Sequence, residues 1–537
     1  MRLVAFALCG VLLCTCGPVT RTSTAATLTF TGLGGEPDSL NPLVSSLADV
    51  YALSHLYLSY LLETDDRGRL VPEIADRVPT RENGGISADG KRIVYHLRHG
   101  VRWQDGVPLR ARDVAFSFSA VMNPANAVPT RLGLTEIASV ETPRDDTVVV
   151  HLRRPFSPIL AYFFGSQSIA GLLPEHLLGR YRDLNHVPYN ALPVGSGPYR
   201  VVEWKRGESV TFVANPSYWR GKPRIGRLVY RIVADPNARL LQLESGAADA
   251  YFDVDPQILP QLRSIRGIRI DLTPVNDLHV IRFNLHDPVV GDVRVRRAIA
   301  LSIDRTQLIA AATHGSGLIV DGDQPRNGWA YDRNLAELPY DPAAAKTLLD
   351  AAGWRARAGG VREKMGVPLE LTLAIAPQIV NGSALVATVI QQELRGAGIG
   401  VTIKQVPSVL LWAPAAAGGI LASGRYQLAY DAWWVLGPDP DDTWNFGCAQ
   451  LPPSGENFYF WCNRRADAAM YAALTTYSRP ARVRDYAIVQ REIGRDLPEF
   501  TLWQVRMPNA YRPRLRGVSP SPFGSLFWNA WSWTLDG

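Results

Sequence analysis

The segment from residue 369 to residue 403 reads LELTLAIAPQIVNGSALVATVIQQELRGAGIGVTI, and its pattern decides the fold class. Residues 369–375 and 399–403 are short apolar runs that predict two strands. Between them, residues 383–395 are predicted to form a helix that Gly396 ends. A strand, a helix and a second strand in this order predict a βαβ unit, and therefore an α/β fold whose parallel sheet carries helices on its faces.

Further elements flank this unit on both sides. Other predicted strands share a period-two alternation or a short apolar run, and they are residues 92–98, 147–152 and 228–233. Other predicted helices share apolar positions at helical spacing or a capping residue, and they are residues 113–122, 294–312 and 343–352. Residues 86–151 are predicted to contain hairpins with a single helix.

Composition limits the class of protein. A chain of 537 residues predicts two to four domains or one large two-lobed body, at roughly 150 residues per domain. Its apolar residues make up 47% and its charged residues 20%, which excludes a disordered chain. Lys and Arg number 56 against 50 Asp and Glu, for a net charge of +6 with no basic stripe. Nucleic acid is therefore not a predicted partner.

The N-terminus is predicted to be an export signal covering residues 1–26. Arg2 precedes an apolar run over residues 3–13, which is too short to span a bilayer because a spanning helix needs about 20 residues. The segment 13–16 is similar to a lipobox with Cys16 as the lipidated residue, and cleavage near Ala26 is the alternative. Since no later run of 18 apolar residues follows, the mature chain is predicted to be soluble or held only by a lipid.

Cysteine usage fits an exported chain. Cys9, Cys14 and Cys16 belong to the predicted signal, so that Cys448 and Cys462 alone remain in the body of the protein. An even pair at this spacing in an oxidising compartment predicts one disulfide bond closing a small loop. Two buried thiols are the alternative interpretation.

Catalytic and cofactor motifs are absent from the sequence. It contains no G-x-S-x-G elbow, phosphate-binding loop, G-x-G-x-x-G turn, H-E-x-x-H pair or zinc-type cysteine cluster. Asp439, Asp441 and Asp442 crowd one loop and could bind calcium or act as an acid–base pair, but Pro-Asp-Pro-Asp favours a solvated turn. The sequence therefore predicts no cofactor, no metal and no enzymatic activity.

Three groups of segments match one known family, in order, over most of residues 28 to 530. They are residues 70–75, 89–90 and 97–117 (LRHGVRWQDGVPLRARDVAFS); residues 193–199, 215–219 and 243–249; and residues 292–299, 303–305 and 340–342. These segments resemble the extracytoplasmic solute-binding proteins of ABC importers, in the oligopeptide, dipeptide and nickel group called family 5.

The resemblance implies a two-lobed periplasmic-binding-protein fold of a type II-like kind. Two α/β lobes would be joined by two crossing segments, with the ligand enclosed at the hinge. Lobe I would comprise residues 27–60, 185–275 and 505–537, with an extra subdomain at 61–184, and lobe II would comprise residues 276–504.

It also implies a function. The protein would be a monomeric receptor in the periplasm or on the outer face of the cytoplasmic membrane, and it would deliver peptides to a permease and ATPase complex. An oligosaccharide or other neutral solute is an alternative ligand. An exported hydrolase using Asp439 and Asp442, or a receptor that docks a sensor, are alternative functions.

Peptide-type members bind the ligand backbone as an added strand, which here implies the edge of residues 427–436 facing the loop at residues 32–38. Trp412, Trp433, Trp434 and Trp444 could stack on ligand groups, and two of the four are expected in the cleft. The candidate ligand-binding residues are Gly34, Gly35, Glu36, Asn381, Trp412, Tyr430, Trp433, Trp434, Val435, Leu436, Gly437 and Asp439.

Two positions depart from the dipeptide-binding relatives. Leu436 occupies the place of an Asp that binds the ligand's α-amine, although a shifted register would put Asp431 or Asp439 there. Residues 377–383 contain Gln378 and Asn381 where an Arg would bind the ligand's carboxylate. An apolar side chain cannot compensate a buried ammonium, so the sequence favours longer peptides or a neutral ligand over a strict dipeptide receptor.

Overall fold

A computed structural model describes residues 26–165, 168, 170–358, 360–377, 382–434 and 437–536. Residues 1–25, with the lipidation predicted at Cys16, lie outside this range, and so do Asn381, Val435 and Leu436. Among the described residues, no helix combines the length and apolar character needed to cross a membrane.

The β-strands of the described residues are, in chain order, β1 (Thr27–Gly32), β2 (Leu62–Thr64), β3 (Leu70–Pro72), β4 (Arg92–His96), β5 (Ile137–Arg144), β6 (Thr147–Leu152), β7 (Tyr199–Lys205), β8 (Ser209–Ala214), β9 (Arg227–Arg231), β10 (Ala250–Phe252), β11 (Arg269–Phe283), β12 (Glu363–Lys364), β13 (Val367–Pro368), β14 (Glu370–Ile375), β15 (Gly400–Gln405), β16 (Leu428–Trp434), β17 (Glu499–Tyr511), β18 (Leu515–Arg516) and β19 (Thr534–Leu535).

The α-helices of the same residues are α1 (Ala48–Tyr57), α2 (Ala111–Met122), α3 (Ile159–Tyr162), α4 (Glu175–Leu178), α5 (Pro236–Ser245), α6 (Leu259–Ser264), α7 (Val293–Leu301), α8 (Arg305–Thr313), α9 (Pro342–Ala351), α10 (Ser383–Gly396), α11 (Ser408–Leu411), α12 (Thr443–Phe446), α13 (Arg464–Thr475) and α14 (Arg479–Asp496).

One mixed sheet runs through both lobes, in the order β15-β14-β16-β11-β17-β10-β1-β9-β8-β7. We call the strands from β10 to β7 the first half and the strands from β16 to β15 the second half. The antiparallel strands β11 and β17 lie between the halves and connect them. The predicted βαβ unit is confirmed, because β14 and β15 pair in parallel on either side of α10 in the chain.

Each half has its own hydrophobic core, and a third core belongs to the region between β2 and residue 189. In the second half, α7, α8, α9 and α10 pack on the sheet through buried aliphatic residues such as Ile299, Leu349 and Ile390. In the third region, the predicted hairpins form the antiparallel sheet β4-β6-β5, covered by α2. The limits of the lobes given above stay predictions.

The two connecting strands do not pair evenly. Their ladder shifts between Pro274 and Leu278, and this interruption is typical of a β-bulge. The side chain of Gln504 supplies hydrogen bonds where the ladder is interrupted. Its Nε2 donates to the Val275 carbonyl at 2.8 Å and to the Asn327 Oδ1 at 2.6 Å. Polar groups that the ladder leaves unpaired are therefore satisfied by a buried side chain.

The helix predicted over residues 294–312 is wrong as a single element. The structure ends α7 at Leu301 and begins α8 at Arg305. Asp304 is the N-cap of the second helix, because its Oδ1 accepts from the amides of Thr306 at 2.9 Å and Gln307 at 3.2 Å. The apolar spacing continues across this break, so that spacing alone could not reveal it.

The third region also contacts the second half directly. The Ser157 amide donates to the Leu474 carbonyl at 2.7 Å, and the Tyr477 hydroxyl donates to the carbonyls of Gly90 and Phe156, each at 3.2 Å. We call this set of contacts the rim contact. It lies away from the two connecting strands in sequence and joins the third region to the second half.

A disulfide bond joins Cys448 and Cys462, whose sulphur atoms lie 2.13 Å apart. The loop between them lies next to α13, and the Cys448 amide donates to the Asp467 Oδ1 at 2.8 Å. The bond therefore links the segment after α12 to the start of α13.

Replacing both cysteines in Cys448→Ser/Cys462→Ser should lower the free energy of unfolding by about 3 kcal/mol, because the unfolded loop regains its freedom. Urea unfolding of the chain lacking residues 1–26 measures this change. As a control, dithiothreitol should lower the stability of the wild type and leave the double variant unchanged. Equal stability of the two proteins under oxidising conditions would contradict the prediction.

Candidate functional site

A cavity of about 470 Å³ lies where the two halves meet the connecting strands. The first half contributes Pro236, Arg239, Tyr251, Asp253, Asp255, Pro256 and Gln257. The connecting strands contribute Asp277, His279, Trp503, Val505 and Met507. The second half contributes Ala312, Thr313, Val386, Tyr430 and Ala432. A concave space of this size, lined by apolar and aromatic side chains with a few polar groups, is typical of small-molecule sites.

The positions of the cavity residues follow from strand and helix ends. Asp253 directly follows β10 and adopts a left-handed backbone with φ of 52°, which Asp tolerates better than most residues. Arg239 lies in the first turns of α5, which begins after the N-cap Asp235. Asp277 and His279 are two positions apart on β11 and therefore face the same side of the sheet.

Aromatic rings form one wall of the cavity. The His279 ring stacks on the Trp503 ring with centroids 4.4 Å apart, and its Nδ1 shares a hydrogen bond of 2.6 Å with the Tyr430 hydroxyl. Burial lowers the pKa of His279 to about 3, so the imidazole is neutral near pH 7. This wall therefore offers flat, uncharged surface to a ligand.

Acidic groups form another wall. Burial raises the pKa of Asp277 to about 7, and the negative charges of Asp431 and Asp253 add to the rise. The surrounding protein also raises the pKa of Asp253 by limiting its hydration, while the guanidinium of Arg239 opposes this rise. The cavity therefore contains carboxyl groups that the chain itself compensates only in part.

The predicted loop after β1 belongs to the first half and reaches the cavity through Arg239. The guanidinium of Arg239 donates to the Gly34 carbonyl, and the Tyr230 hydroxyl donates to the Gly35 carbonyl at 3.2 Å. Gly34 has a φ of 115°, which glycine adopts without strain. Glu36 turns away from this contact, because it accepts from the Trp204 Nε1 at 3.1 Å and the Gly207 amide at 2.8 Å.

Strand β16 carries the predicted ligand-binding edge. Its pairing with β11 covers residues 428–434, whereas its parallel pairing with β14 covers Leu428 and Ala429 alone in the part of the chain described. Residues 430–434 therefore have a strand partner on one side. Trp433 and Trp434 lie opposite Leu278 and Asp277 in the ladder, and Gly437 follows with a φ of 42°.

Asp431 and Asp439, the two alternatives to Leu436 as amine-binding groups, are each paired with an arginine of this chain. The Asp431 carboxylate accepts from the Arg282 Nε at 2.9 Å, and both side chains are 1% exposed. Asp439 forms a buried ion pair with Arg482 on α14. Neither carboxylate is free to bind a ligand amine in this arrangement.

The interpretation of the Pro-Asp-Pro-Asp segment as a solvated turn is wrong. Asp439, Asp441 and Asp442 are all buried. The Gln324 Nε2 donates to the Asp442 Oδ1 at 2.7 Å, and the Thr443 amide donates to the Asp441 Oδ1 at 3.0 Å. The turn is therefore tied into the second half by its carboxylates, a role that turn propensity cannot reveal.

Of the four tryptophans considered for stacking, two have described side chains. Trp412 packs against Phe458 with ring centroids 5.8 Å apart, and Trp444 packs on the core around Phe446 and Tyr459. Neither is among the residues that line the cavity. Within the described ranges, no group of three His, Cys, Asp or Glu side chains is placed to hold a metal ion.

Sequence reasoning found Tyr430 and missed most of the cavity wall. Asp277, His279 and Trp503 lie on the connecting strands, and Arg239 and Asp253 lie at the ends of first-half elements. One available signal was the polar Asn276-Asp277 pair that precedes the apolar part of β11. A polar side chain next to an apolar run indicates that the strand there faces a polar space and not the hydrophobic core.

Comparisons with known proteins give a consistent result. The family model for "Bacterial extracellular solute-binding proteins, family 5 Middle" matches residues 69–450. The chain is 32% identical to "Protein XP55" of Streptomyces lividans over 349 residues, which cover 65% of this chain and 61% of that protein.

Two further relatives match over nearly the whole chain. The "Probable di/tripeptide-binding protein 5" of Pseudomonas aeruginosa (strain UCBPP-PA14) is 28% identical over 519 residues, which cover 89% of this chain and 90% of that protein. The crystal structure of NikZ from Campylobacter jejuni in complex with Ni(L-His) is 27% identical, with a TM-score of 0.75, and covers 95% of this chain and 99% of that chain.

Asp431→Ala should lower the free energy of unfolding of the ligand-free protein by about 3–5 kcal/mol, because Arg282 would stay buried without its partner. Arg282→Met/Asp431→Leu should recover most of this loss, since neither charge then remains. Urea unfolding measures both variants. If Asp431→Ala left the stability unchanged and abolished ligand binding alone, Asp431 would be a ligand group and not a structural one.

Proposed function

This chain belongs to family 5 of the bacterial extracellular solute-binding proteins, and on this premise we propose that it is the peptide receptor of an ABC importer. It works outside the cytoplasm, captures a peptide in the cavity between the two halves, and delivers it unchanged to a membrane permease that an ATPase drives. The protein acts as a monomer that moves between the permease and its free form.

The cavity is the single observation that carries this proposal. Side chains from both halves and from both connecting strands line the same space of about 470 Å³. Movement of one half relative to the other therefore opens or encloses whatever occupies it, as in other hinged binding proteins. Enclosure removes water from the ligand, so polar contacts strengthen without any chemical step.

The open side of β16 supports a peptide as the ligand. Residues 430–434 pair with β11 on one side, and among the described residues no strand continues along the other side. An extended peptide can add to such an edge through its main chain, which gives affinity that is largely independent of side chains. The "di/tripeptide-binding" relative supports the same assignment by its name.

Residues around this edge complete the proposed site. We include the loop of Gly34, Gly35 and Glu36 in the proposed site, because Arg239 in the cavity wall donates to the Gly34 carbonyl. Trp433 and Trp434 end β16, and we include Val435, Leu436, Gly437 and Asn381 in the proposed site on the resemblance to the family. We propose that these residues contact the peptide. Asp439 and Trp412 instead stabilise the second half, through the ion pair with Arg482 and the packing on Phe458.

The family consists of binding proteins, and the positions of Asp439 and Asp442 agree with binding without turnover. A hydrolase that used Asp439 and Asp442 would need these two carboxylates free and in the cavity, but Asp439 is paired with Arg482, and Asp442 accepts from Gln324 at 2.7 Å. Neither residue lines the cavity. We therefore assign these carboxylates to the framework of the second half.

A matching peptide should raise the melting temperature of the protein after bound solutes have been removed by unfolding and refolding. At a peptide concentration of 100 times Kd, the added stability is about 2.7 kcal/mol. Differential scanning fluorimetry against peptide pools of graded length measures this. Stabilisation by nickel–histidine and by no peptide, or by none of the solutes, would contradict a peptide receptor.

Ala432→Trp should abolish that shift, because the indole would fill part of a cavity whose wall includes Ala432. Ala356→Trp is the matched control, since Ala356 is exposed outside the cavity. Both variants should unfold cooperatively. A peptide-dependent shift that survives in Ala432→Trp would show that the peptide binds elsewhere.

A further inference from the structure

The cavity has an excess of negative charge. Asp253, Asp255 and Asp277 are carboxylates in its wall, and Arg239 is the guanidinium found there. Arg239 is already engaged, because its Nε donates to the Val233 carbonyl at 2.5 Å and a terminal nitrogen donates to the Gly34 carbonyl. An entering ligand therefore meets the carboxylates of Asp253 and Asp277, and Arg239 offsets the charge of Asp253 only in part.

Asp277 is the carboxylate that lacks a hydrogen-bond donor. Its Oδ1 is buried and has no hydrogen-bond partner among the described residues, although the side chain as a whole lines the cavity. A carboxylate oxygen withdrawn from water without a donor is unfavourable, and a donor supplied by a ligand removes that penalty. Burial raises the pKa of Asp277 to about 7, which agrees with a site that lacks a cation.

Among the residues that the structure describes, the titratable groups around Asp277 do not supply the missing charge. Its neighbour on β11, His279, is held neutral by burial, which lowers its pKa to about 3. Asp431 on β16 is committed to Arg282, and Asp253 at the end of β10 carries the same sign as Asp277. Asp255 caps a short helical turn by accepting from the Gln257 amide at 2.9 Å. The remaining wall is aromatic, and aromatic faces also attract cations.

We infer that the cavity selects solutes carrying a positively charged nitrogen, and that Asp277 is the residue that binds this nitrogen. The inference rests on the proposed function and deepens it. The ligand is a peptide held by its N-terminal ammonium or by a basic side chain, with Asp253 as the second carboxylate within the same wall. Tyr430 and Trp503 line the aromatic side of the cation.

The location of Asp277 is set by the connecting strand. Asp277 lies opposite Trp434 in the ladder between β11 and β16, on the paired side of β16. The open edge proposed for the peptide backbone is on the other side of β16, so the two sites are about 10 Å apart, which is two strand spacings. A cationic group reaches Asp277 through the cavity that Asp277 lines.

Isothermal titration calorimetry with three tripeptides tests the inference. The first has a free N-terminus and neutral side chains, the second is its N-acetylated form, and the third is N-acetylated and contains one Lys. The wild type should bind the first far more tightly than the second. Binding of the third as tightly as the first would assign the cation to a side chain as well as to the terminus.

Asp277→Asn should weaken binding of the cationic peptide by about 30-fold or more, the usual effect of truncating one partner of a buried charge pair. It should leave the weak binding of the neutral acetylated peptide unchanged. Asp271→Asn is the matched control, because Asp271 lies on the same strand outside the cavity and pairs with Arg269 at 2.9 Å. The ligand-free Asp277→Asn protein should melt no lower than the wild type, since it buries no unpaired charge.

Affinity for the cationic peptide should also depend on pH. Asp277 must be ionised to attract the ligand, so the affinity should fall about tenfold for each pH unit below about 7, while the peptide amine stays charged. Asp277→Asn should flatten this profile between pH 5 and pH 7. A profile that keeps its slope in the variant would assign the charge to Asp253 and overturn the assignment to Asp277.

The outcomes separate this inference from the proposed function. Equal binding of all three tripeptides would overturn the selection for a cation and leave the peptide receptor standing. Failure of all three tripeptides, together with failure of the longer pools described above, would overturn the peptide receptor itself. Loss of binding in Asp271→Asn as well as in Asp277→Asn would overturn the role given to Asp277.

Discussion

The pairing of β11 with β17 is the constraint on which the rest of the structure depends. These two strands are hydrogen-bonded to each other, β17 is bonded to the first half through β10, and β11 is bonded to the second half through β16. A single sheet therefore carries both cores, and the cavity exists because the wall of the sheet continues between them. The ladder between β11 and β17 is interrupted twice, between Pro274 and Leu278 and between His279 and Val280, so this part of the sheet has fewer main-chain bonds.

Local parts of the fold could be predicted from the sequence, because their information lies within short windows. The alternation over residues 92–98 and 147–152 gave two strands that pair with each other, and the βαβ unit around α10 needed only its own 35-residue segment. The break at Asp304 shows the limit of apolar spacing, since a cap is one residue inside a pattern that continues. The long pairing could not be predicted in this way: Gln504 and Val275 are 229 positions apart.

The cavity was harder to predict than the fold for a related reason. The resemblance to the family pointed to β16 and to the loop after β1 as candidate binding segments. It could not predict which charged side chains of this chain line the cavity. Asp277 and His279 look like the polar side of an ordinary half-buried strand until β17 and α5 are placed against them. The buried carboxylates at residues 439–442 gave the opposite error, because their arginine and glutamine partners come from distant segments.

The rim contact has a consequence for how tightly any solute is held. Movement of the third region away from the second half has to break the Ser157–Leu474 bond and release the Tyr477 hydroxyl from the carbonyls of Gly90 and Phe156. We therefore expect these bonds to favour the arrangement described here over a more open one. Apparent affinity scales with the fraction of molecules able to admit and retain a solute. We therefore expect substitutions at the rim contact, none of whose residues lines the cavity, to change affinity without changing which solute is recognised.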